Sequence, residues 1–225
     1  MNVIVFASRK GGTGKSTLAA HLAAYVHRPN RSCLLLDADP QGSLTLWHRL
    51  RDTGEPPLKN GVRGLSESIK AAKREGYDWV FVDTPPSMSA AVTEAIRAAT
   101  LVVIPARPGV FDLNAIKETI ELARSARKPF AVVLNAAPPK RLDEEAPAMV
   151  GARASLADLD APVWSGQISH RAAFSLALAH GEGAKEYDAE SYAAAEIARL
   201  WAAIEKSVKA IHGAHDGAAM HKQAA

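Results

Sequence analysis

The chain has 225 residues, 48% of them hydrophobic, enough apolar surface for one well-packed domain without a surplus for a second. Its one cysteine, Cys33, excludes an internal disulfide and a cysteine-ligated cluster; set in Cys33-Leu34-Leu35-Leu36, it reads as a buried small hydrophobe in a reducing compartment. A formal charge of +3 and a pI near 9.0 suit a polyanionic partner without establishing one, and no apolar run approaches the roughly 20 residues of a spanning helix, so a soluble, cytoplasmic protein is expected.

In chain order, β-rich apolar runs fall at Val3–Ala7, Ser32–Leu36, Trp79–Val82, Leu101–Ile104 and Phe130–Leu134, with a weaker one at Pro162–Trp164. Most are continuous rather than alternating, as strands covered on both faces are. Helical apolar spacing lies between and after them, at Lys15–His27, Leu65–Glu75, Ala90–Ala99, Leu113–Ala126 and Ala189–Ile211. The alternation predicts an α/β fold: a doubly wound, mostly parallel sheet with helices on both faces. The stretches 52–64 and 136–147, each with a Pro-Pro pair, read as irregular. One domain is expected over 1–212, followed by a small, polar tail over 213–225 that reads as disordered.

Three segments carry chemistry. The first is Ser8-Arg9-Lys10-Gly11-Gly12-Thr13-Gly14-Lys15-Ser16-Thr17, directly after a predicted strand and opening a predicted helix. Glycines at this spacing let the backbone turn tightly and aim N–H groups at an anion, with the helix N-terminus behind them. Lys15 can then reach β- and γ-phosphate oxygens, and the Ser16 hydroxyl can ligate Mg²⁺. The second is Leu36-Asp37-Ala38-Asp39-Pro40-Gln41-Gly42, two carboxylates at a strand end, a pattern that also suits turns and caps. The third, Trp79-Val80-Phe81-Val82-Asp83-Thr84-Pro85-Pro86, is an apolar strand ending in an acid fit to hold Mg²⁺.

The general Walker A pattern wants glycine where Arg9 stands, but Lys10-Gly11-Gly12-Thr13-Gly14-Lys15-Ser16 resembles the deviant Walker A motif of the ParA/MinD superfamily of P-loop ATPases. The resemblance runs from the first strand to about Val208 and implies ATP and Mg²⁺ as cofactors, with Gly11, Gly12, Thr13, Gly14, Lys15, Ser16 and Thr17 around the nucleotide. It further implies an ATP-dependent homodimer in which Lys10 reaches the phosphates held by the other subunit. Asp39 takes the place of the aspartate that orients the attacking water, Asp37 and Asp83 with Ser16 the places near the metal, and 87–89 that of switch II. Asn135, at the end of a strand, matches the position that reads the adenine edge, and the turn at Arg107 with Asp112-Leu113 resembles the loop near the base and dimer face.

Within the superfamily, Ile168-Ser169-His170-Arg171-Ala172-Ala173-Phe174, then Gly181 and Glu186-Tyr187, resemble the ParA segment that contributes to sequence-independent DNA binding, with Arg171 as the candidate contact. The region from Ser165 onward is not basic overall, with six Lys/Arg against seven Asp/Glu, so a cationic face would have to be assembled in three dimensions; Arg124, Arg127 and Lys128 are further candidates. The tail lacks the amphipathic helix of a membrane-bound MinD-like positioner, the chain lacks cluster-ligating cysteines, and its last 30 residues lack the tyrosines of a kinase branch. Lys10 separates it from ligases that share the phosphate loop. A phosphate loop opening within ten residues of Met1 gives the expectation of a short form without a helix-turn-helix extension. The implied function is a slow, partner-stimulated ATP hydrolase that binds non-specific double-stranded DNA and positions a plasmid, chromosome locus or protein cargo, with a ParB-like or adaptor activator, nucleoid association and no membrane partner. The alternative is an ATPase of the same superfamily acting at a membrane or on a small substrate.

Overall fold

In the computed structural model, the described residues are 1–87, 89–140 and 144–223, with side chains as far as 214. Strand β1 (Asn2–Phe6) is buried over its last four residues, β2 (Cys33–Asp37) and β4 (Trp79–Asp83) over their whole length. That is why these runs are continuously apolar: neither face meets water. With β3 (Leu58–Asn60), β5 (Leu101–Ala106) and β6 (Phe130–Leu134) they form one parallel sheet in the order β3-β2-β4-β1-β5-β6.

Apolar side chains alternate between two cores. One face of the sheet packs against α3 (Leu65–Arg74), α4 (Ala90–Ala98), α5 (Val110–Ala115), α6 (Lys117–Ser125) and α7 (Pro147–Ala157). The other packs against α1 (Lys15–Val26), α2 (Ser43–Arg49), α8 (Ala172–Ala179), α9 (Ala184–Tyr187) and α10 (Tyr192–Gln223). Trp201 of α10 meets the ring of Trp79 edge-on at 4.6 Å, so the C-terminal helix closes the sheet over β4. This is the doubly wound architecture expected.

Several local expectations change. β3 lies inside the stretch read as irregular; three residues at a sheet edge, one of them lysine, give too little periodicity to recognise. The run Leu113–Ala126 is two helices that meet at Ile116 rather than one. Pro162–Trp164 contributes a single parallel bridge, Val132 to Val163, instead of a strand. α10 continues past 212 to Gln223 through the segment read as a disordered tail; its alanines favour helix and need no apolar stripe to do so. Met88, within the predicted switch II, residues 141–143 of the second irregular stretch, and 224–225 lie outside the described residues.

Helices α8 and α9 are tied to α1 and to the C-terminal end of α2. At Gly181 the backbone is left-handed (φ 71°) and lies so close to Leu50 that a Cβ would overlap its carbonyl. Arg51 Nη1 donates to Gly181 O at 2.8 Å and pairs with Glu186, and Trp47 Nε1 donates to Glu182 O at 3.3 Å. His21, on the buried side of α1, accepts from Ala184 N through Nδ1 at 3.0 Å. Burial pulls the His21 imidazole down from 6.5 to about 4. The unfolded chain therefore takes up this proton first, so the contribution of neutral His21 is present above pH 6.5 and is lost as the pH falls toward 4. Chemical denaturation should show about 2 kcal/mol less stability at pH 5 than at pH 7 from this group. His21→Leu should flatten that part of the profile; an unchanged acid limb would show that the imidazole does not titrate as its burial demands.

Candidate nucleotide site

The order of the strands assembles the site. β1 lies between β4 and β5, and β2 lies beyond β4, so the C-terminal ends of β2, β4 and β1 are adjacent. In register, Asp83 stands beside Phe6 on one side and Asp37 on the other. The loop leaving β1 therefore emerges over both acids at the point where the chain's crossovers diverge, the usual place for a ligand in such sheets. Thr84 Oγ1 donates to Phe6 O at 2.8 Å and pins the end of β4 to the start of that loop.

Gly12 (φ 73°) and Gly14 (φ 99°) are left-handed, and Gly14 is the N-cap of α1, whose first turn carries no acid. The positive end of α1 is thus left facing the loop. Lys15 is buried, and burial lowers its pKa against the opposing pull of Asp83 and Asp39. An ammonium held in this way is ready for an anion of high charge. Asp83 is fully buried, and among the described residues neither of its oxygens has a well-formed hydrogen bond, although the Ser16 hydroxyl lies close enough to favour its charge. Desolvation pushes the Asp83 carboxyl up to about 7, with Ser16 and Lys15 pulling down and Asp37 and Asp39 adding to the rise. A buried carboxylate with both oxygens free, next to a hydroxyl in a loop built for phosphate, fits a divalent cation. The groove above it holds about 490 Å³ and is lined by Gly12, Lys15, Ser16 and Thr17 on one side and by Asp39, Trp47, Arg107 and Leu178 on others.

The remaining predicted residues have more specific positions. Asp37 spends its oxygens inside the chain: Oδ2 accepts from Thr45 N (2.9 Å) and Thr45 Oγ1 (2.7 Å), and Oδ1 from Asp39 N (3.2 Å). It shapes the loop into α2, and in this structure its oxygens are taken up by that loop rather than open. Asp39 is nearly buried, accepts from Gln41 N at 3.0 Å and lines the groove.

Asn135 does not line the groove. Its Nδ2 donates to Thr13 O at 2.6 Å, and it packs so tightly on Gly14 that a Cβ there would overlap it. In this structure it braces the phosphate loop. Arg171 is likewise engaged, through Nη2 (2.9 Å) and Nε (3.1 Å), with the buried Oε1 of Glu196, which also accepts from Ser169 Oγ; its guanidinium stacks over Tyr192 at 5.0 Å. It is not a free cation. Arg124 is turned to the carbonyls of Leu159 and Asp160.

Lys10 stands at the mouth of the loop, with Nζ 2.6 Å from Asp112 Oδ2 in α5 of the same chain. Arg9 pairs with Glu118, and Arg9 N donates to Thr119 Oγ1 at 3.3 Å, so α5 and α6 are stitched along one side of the phosphate loop. Glu118 and Thr119 left no signal in the sequence because each acts through one long-range hydrogen bond to Arg9, and Thr45 left none because its two bonds to Asp37 follow from how the loop into α2 folds back. Arg107 had a signal in the turn after β5, but its place in the groove depends on β5 lying next to β1.

Residues 4–184 match the CobQ/CobB/MinD/ParA nucleotide binding domain. The chain belongs to this family. It is similar to the maintenance of carboxysome distribution protein A of Halothiobacillus neapolitanus, 31% identical over 86% of this chain and 91% of that protein. It is also similar to the chromosome-partitioning ATPase Soj of Thermus thermophilus, 32% identical over 56% of this chain and 64% of Soj. The fold matches that of the septum site-determining protein MinD of Pyrococcus horikoshii, complexed with Mg-ADP, with a TM-score of 0.74 over 93% of this chain and 98% of that one at 19% identity. As a member of this family, the chain is a nucleotide-binding domain.

Proposed function

We propose that this chain is an ATP-hydrolysing switch that positions or partitions a cargo. The observation carrying the reading is a second lysine, Lys10, at the mouth of a phosphate loop that already holds Lys15 inside. One lysine suffices to bind phosphates, and a second, partly exposed and only 2.6 Å from an acid it can leave, suits a charge delivered to another subunit. ATP would lie along Gly11–Thr17, with Ser16 and Asp83 the residues that would hold Mg²⁺, whose charge would offset that of the phosphates. Two copies then face each other, each supplying Lys10 to the other's phosphates. Asp39 orients the attacking water by accepting its hydrogen bond, and the positive end of α1 with Lys15 stabilises the charge that develops on the transferred group.

The ATP-bound dimer associates with double-stranded DNA through phosphate contacts independent of sequence, and hydrolysis releases it. This makes the protein cytoplasmic and nucleoid-associated, with turnover slow until a ParB-like or adaptor protein orders the loops around Asp39 and 87–89. The similarity to proteins named for carboxysome distribution and for chromosome partitioning supports a cargo that is either a protein assembly or a replicon. No helix among the described residues is long and apolar enough to cross a membrane.

Binding to non-specific duplex DNA at moderate salt tests the reading, with ATP·Mg²⁺, ADP and no nucleotide compared. Asp39→Ala should keep nucleotide affinity within a few-fold, slow hydrolysis on the order of 100-fold, and give the strongest ATP-dependent DNA binding. Equal DNA binding in all three nucleotide states would rule out the switch.

A further inference from the structure

Arg107 approaches the phosphate loop from outside it. The side chain is exposed, lines the nucleotide groove and brings Nη2 to 3.5 Å from where a Cβ on Gly12 would stand. Gly12 is left-handed (φ 73°) and carries no side chain, so the guanidinium stands close to the backbone of the loop itself. We infer that Arg107 contacts the terminal phosphate of ATP bound in its own chain and is the residue that tells ATP from ADP. This rests on the ATP site proposed above and adds a third cation to it.

The place of Arg107 is fixed on both sides. Ala106, the last residue of β5, accepts from Asn135 N at 2.8 Å, and the Asn135 side chain in turn donates to Thr13 O in the phosphate loop. Pro108 follows Arg107 and restricts its backbone to the extended region. Lys15 identifies the phosphate that faces it. Its Nζ lies 3.5 Å from Lys10 O, beside the limb that runs Lys10-Gly11-Gly12. A lysine in this position reaches the β- and γ-phosphates, so the outer phosphates lie along that limb, and Arg107 stands at Gly12 within it.

Charge favours the same assignment. The loop already gathers positive charge, with Lys15 inside it, the N-terminal end of α1 behind it and Lys10 at its mouth. A guanidinium added there is repelled while the groove is empty and attracted once an anion lies between them, and the terminal phosphoryl group is the part of that anion that ADP lacks. Arginine suits the contact because its planar fork donates two parallel hydrogen bonds to phosphate oxygens. The turn that carries Arg107 runs on through Gly109 into α5, where Asp112 accepts from Lys10 Nζ. A terminal phosphate that draws Arg107 inward therefore acts on the element that holds Lys10, which links release of that lysine to ATP and not to ADP.

The test is titration calorimetry of the full chain with Mg²⁺ and either ADP or a non-hydrolysable ATP analogue. Arg107→Ala is compared with its parent both in the natural chain and in the Lys10→Ala background, which removes the lysine proposed to cross between subunits. Losing a charge-assisted contact to the terminal phosphate should raise the dissociation constant for the analogue about ten-fold and leave that for ADP within about two-fold, in both backgrounds. Arg107→Lys should recover part of the loss, because it keeps the charge without the fork. Equal weakening toward both nucleotides would move the guanidinium to an inner phosphate or the sugar, and no weakening toward either would make it a surface charge. Each of these results overturns the assignment and leaves the ATP site standing. Weakening seen only with Lys10 present would transfer the contact to the nucleotide of the partner subunit and overturn it as well. A natural chain that binds neither nucleotide overturns the ATP reading itself.

Discussion

Lys15→Ala is expected to remove nucleotide binding at physiological concentrations. Lys15 is buried beneath the loop, with its charge disfavoured by desolvation and supported by Asp83 and Asp39. An ammonium in that position meets the phosphates in a site poor in water, where removing one partner of a charge pair costs about 3 kcal/mol. The dissociation constant for a fluorescent ATP analogue should therefore rise on the order of 100-fold. Because the substitution also relieves a buried charge, thermal stability of the apo protein should hold or increase. A variant that binds the analogue as well as wild type would place the phosphates somewhere other than this loop.

The second large effect is expected at Lys10, and it separates binding from turnover. Nζ of Lys10 lies on Asp112 and not over the nucleotide groove of its own chain, so Lys10→Ala should leave affinity for the ATP analogue within a few-fold. A cation delivered to a transferring phosphoryl group is worth about 10³ in rate, so single-turnover hydrolysis should fall by about that factor while self-association with ATP weakens. Asp112→Asn probes the other side of the same contact. Without the full charge of Asp112 the lysine is released more readily, and the ATP concentration for half-maximal self-association should fall about five-fold, equivalent to about 1 kcal/mol for a pair whose lysine is partly exposed. If Lys10→Ala turned over normally, the lysine would be a loop charge and the dimer mechanism would lose its central group.

The geometry of the phosphate loop was legible because it is local. Gly11, Gly12, Gly14, Lys15 and Ser16 sit within one turn of chain, and their spacing alone creates the anion nest, whichever sheet surrounds it. The acids Asp37 and Asp83 were legible for a related reason: each ends a continuous apolar run, and parallel strands end on one side. The fold class followed from the same runs alternating with helical spacing. Short elements were not legible. β3 and α2 draw their stability from neighbours, β2 and α1 above all, and too few residues of each are buried to leave a period.

Roles that depend on distant partners could be read from neither spacing nor charge. The sequence by itself determined a doubly wound domain with a phosphate loop, two strand-end acids and a second lysine. Only the tertiary structure decided that Lys10 rests on Asp112, that Asn135 braces Thr13, that Asp37 is committed to Thr45, and that Arg171 is locked to Glu196. Each of those choices is a competition between one polar group and all the donors or acceptors that folding brings within about 3 Å of it, and chain spacing cannot rank partners separated by up to 122 positions.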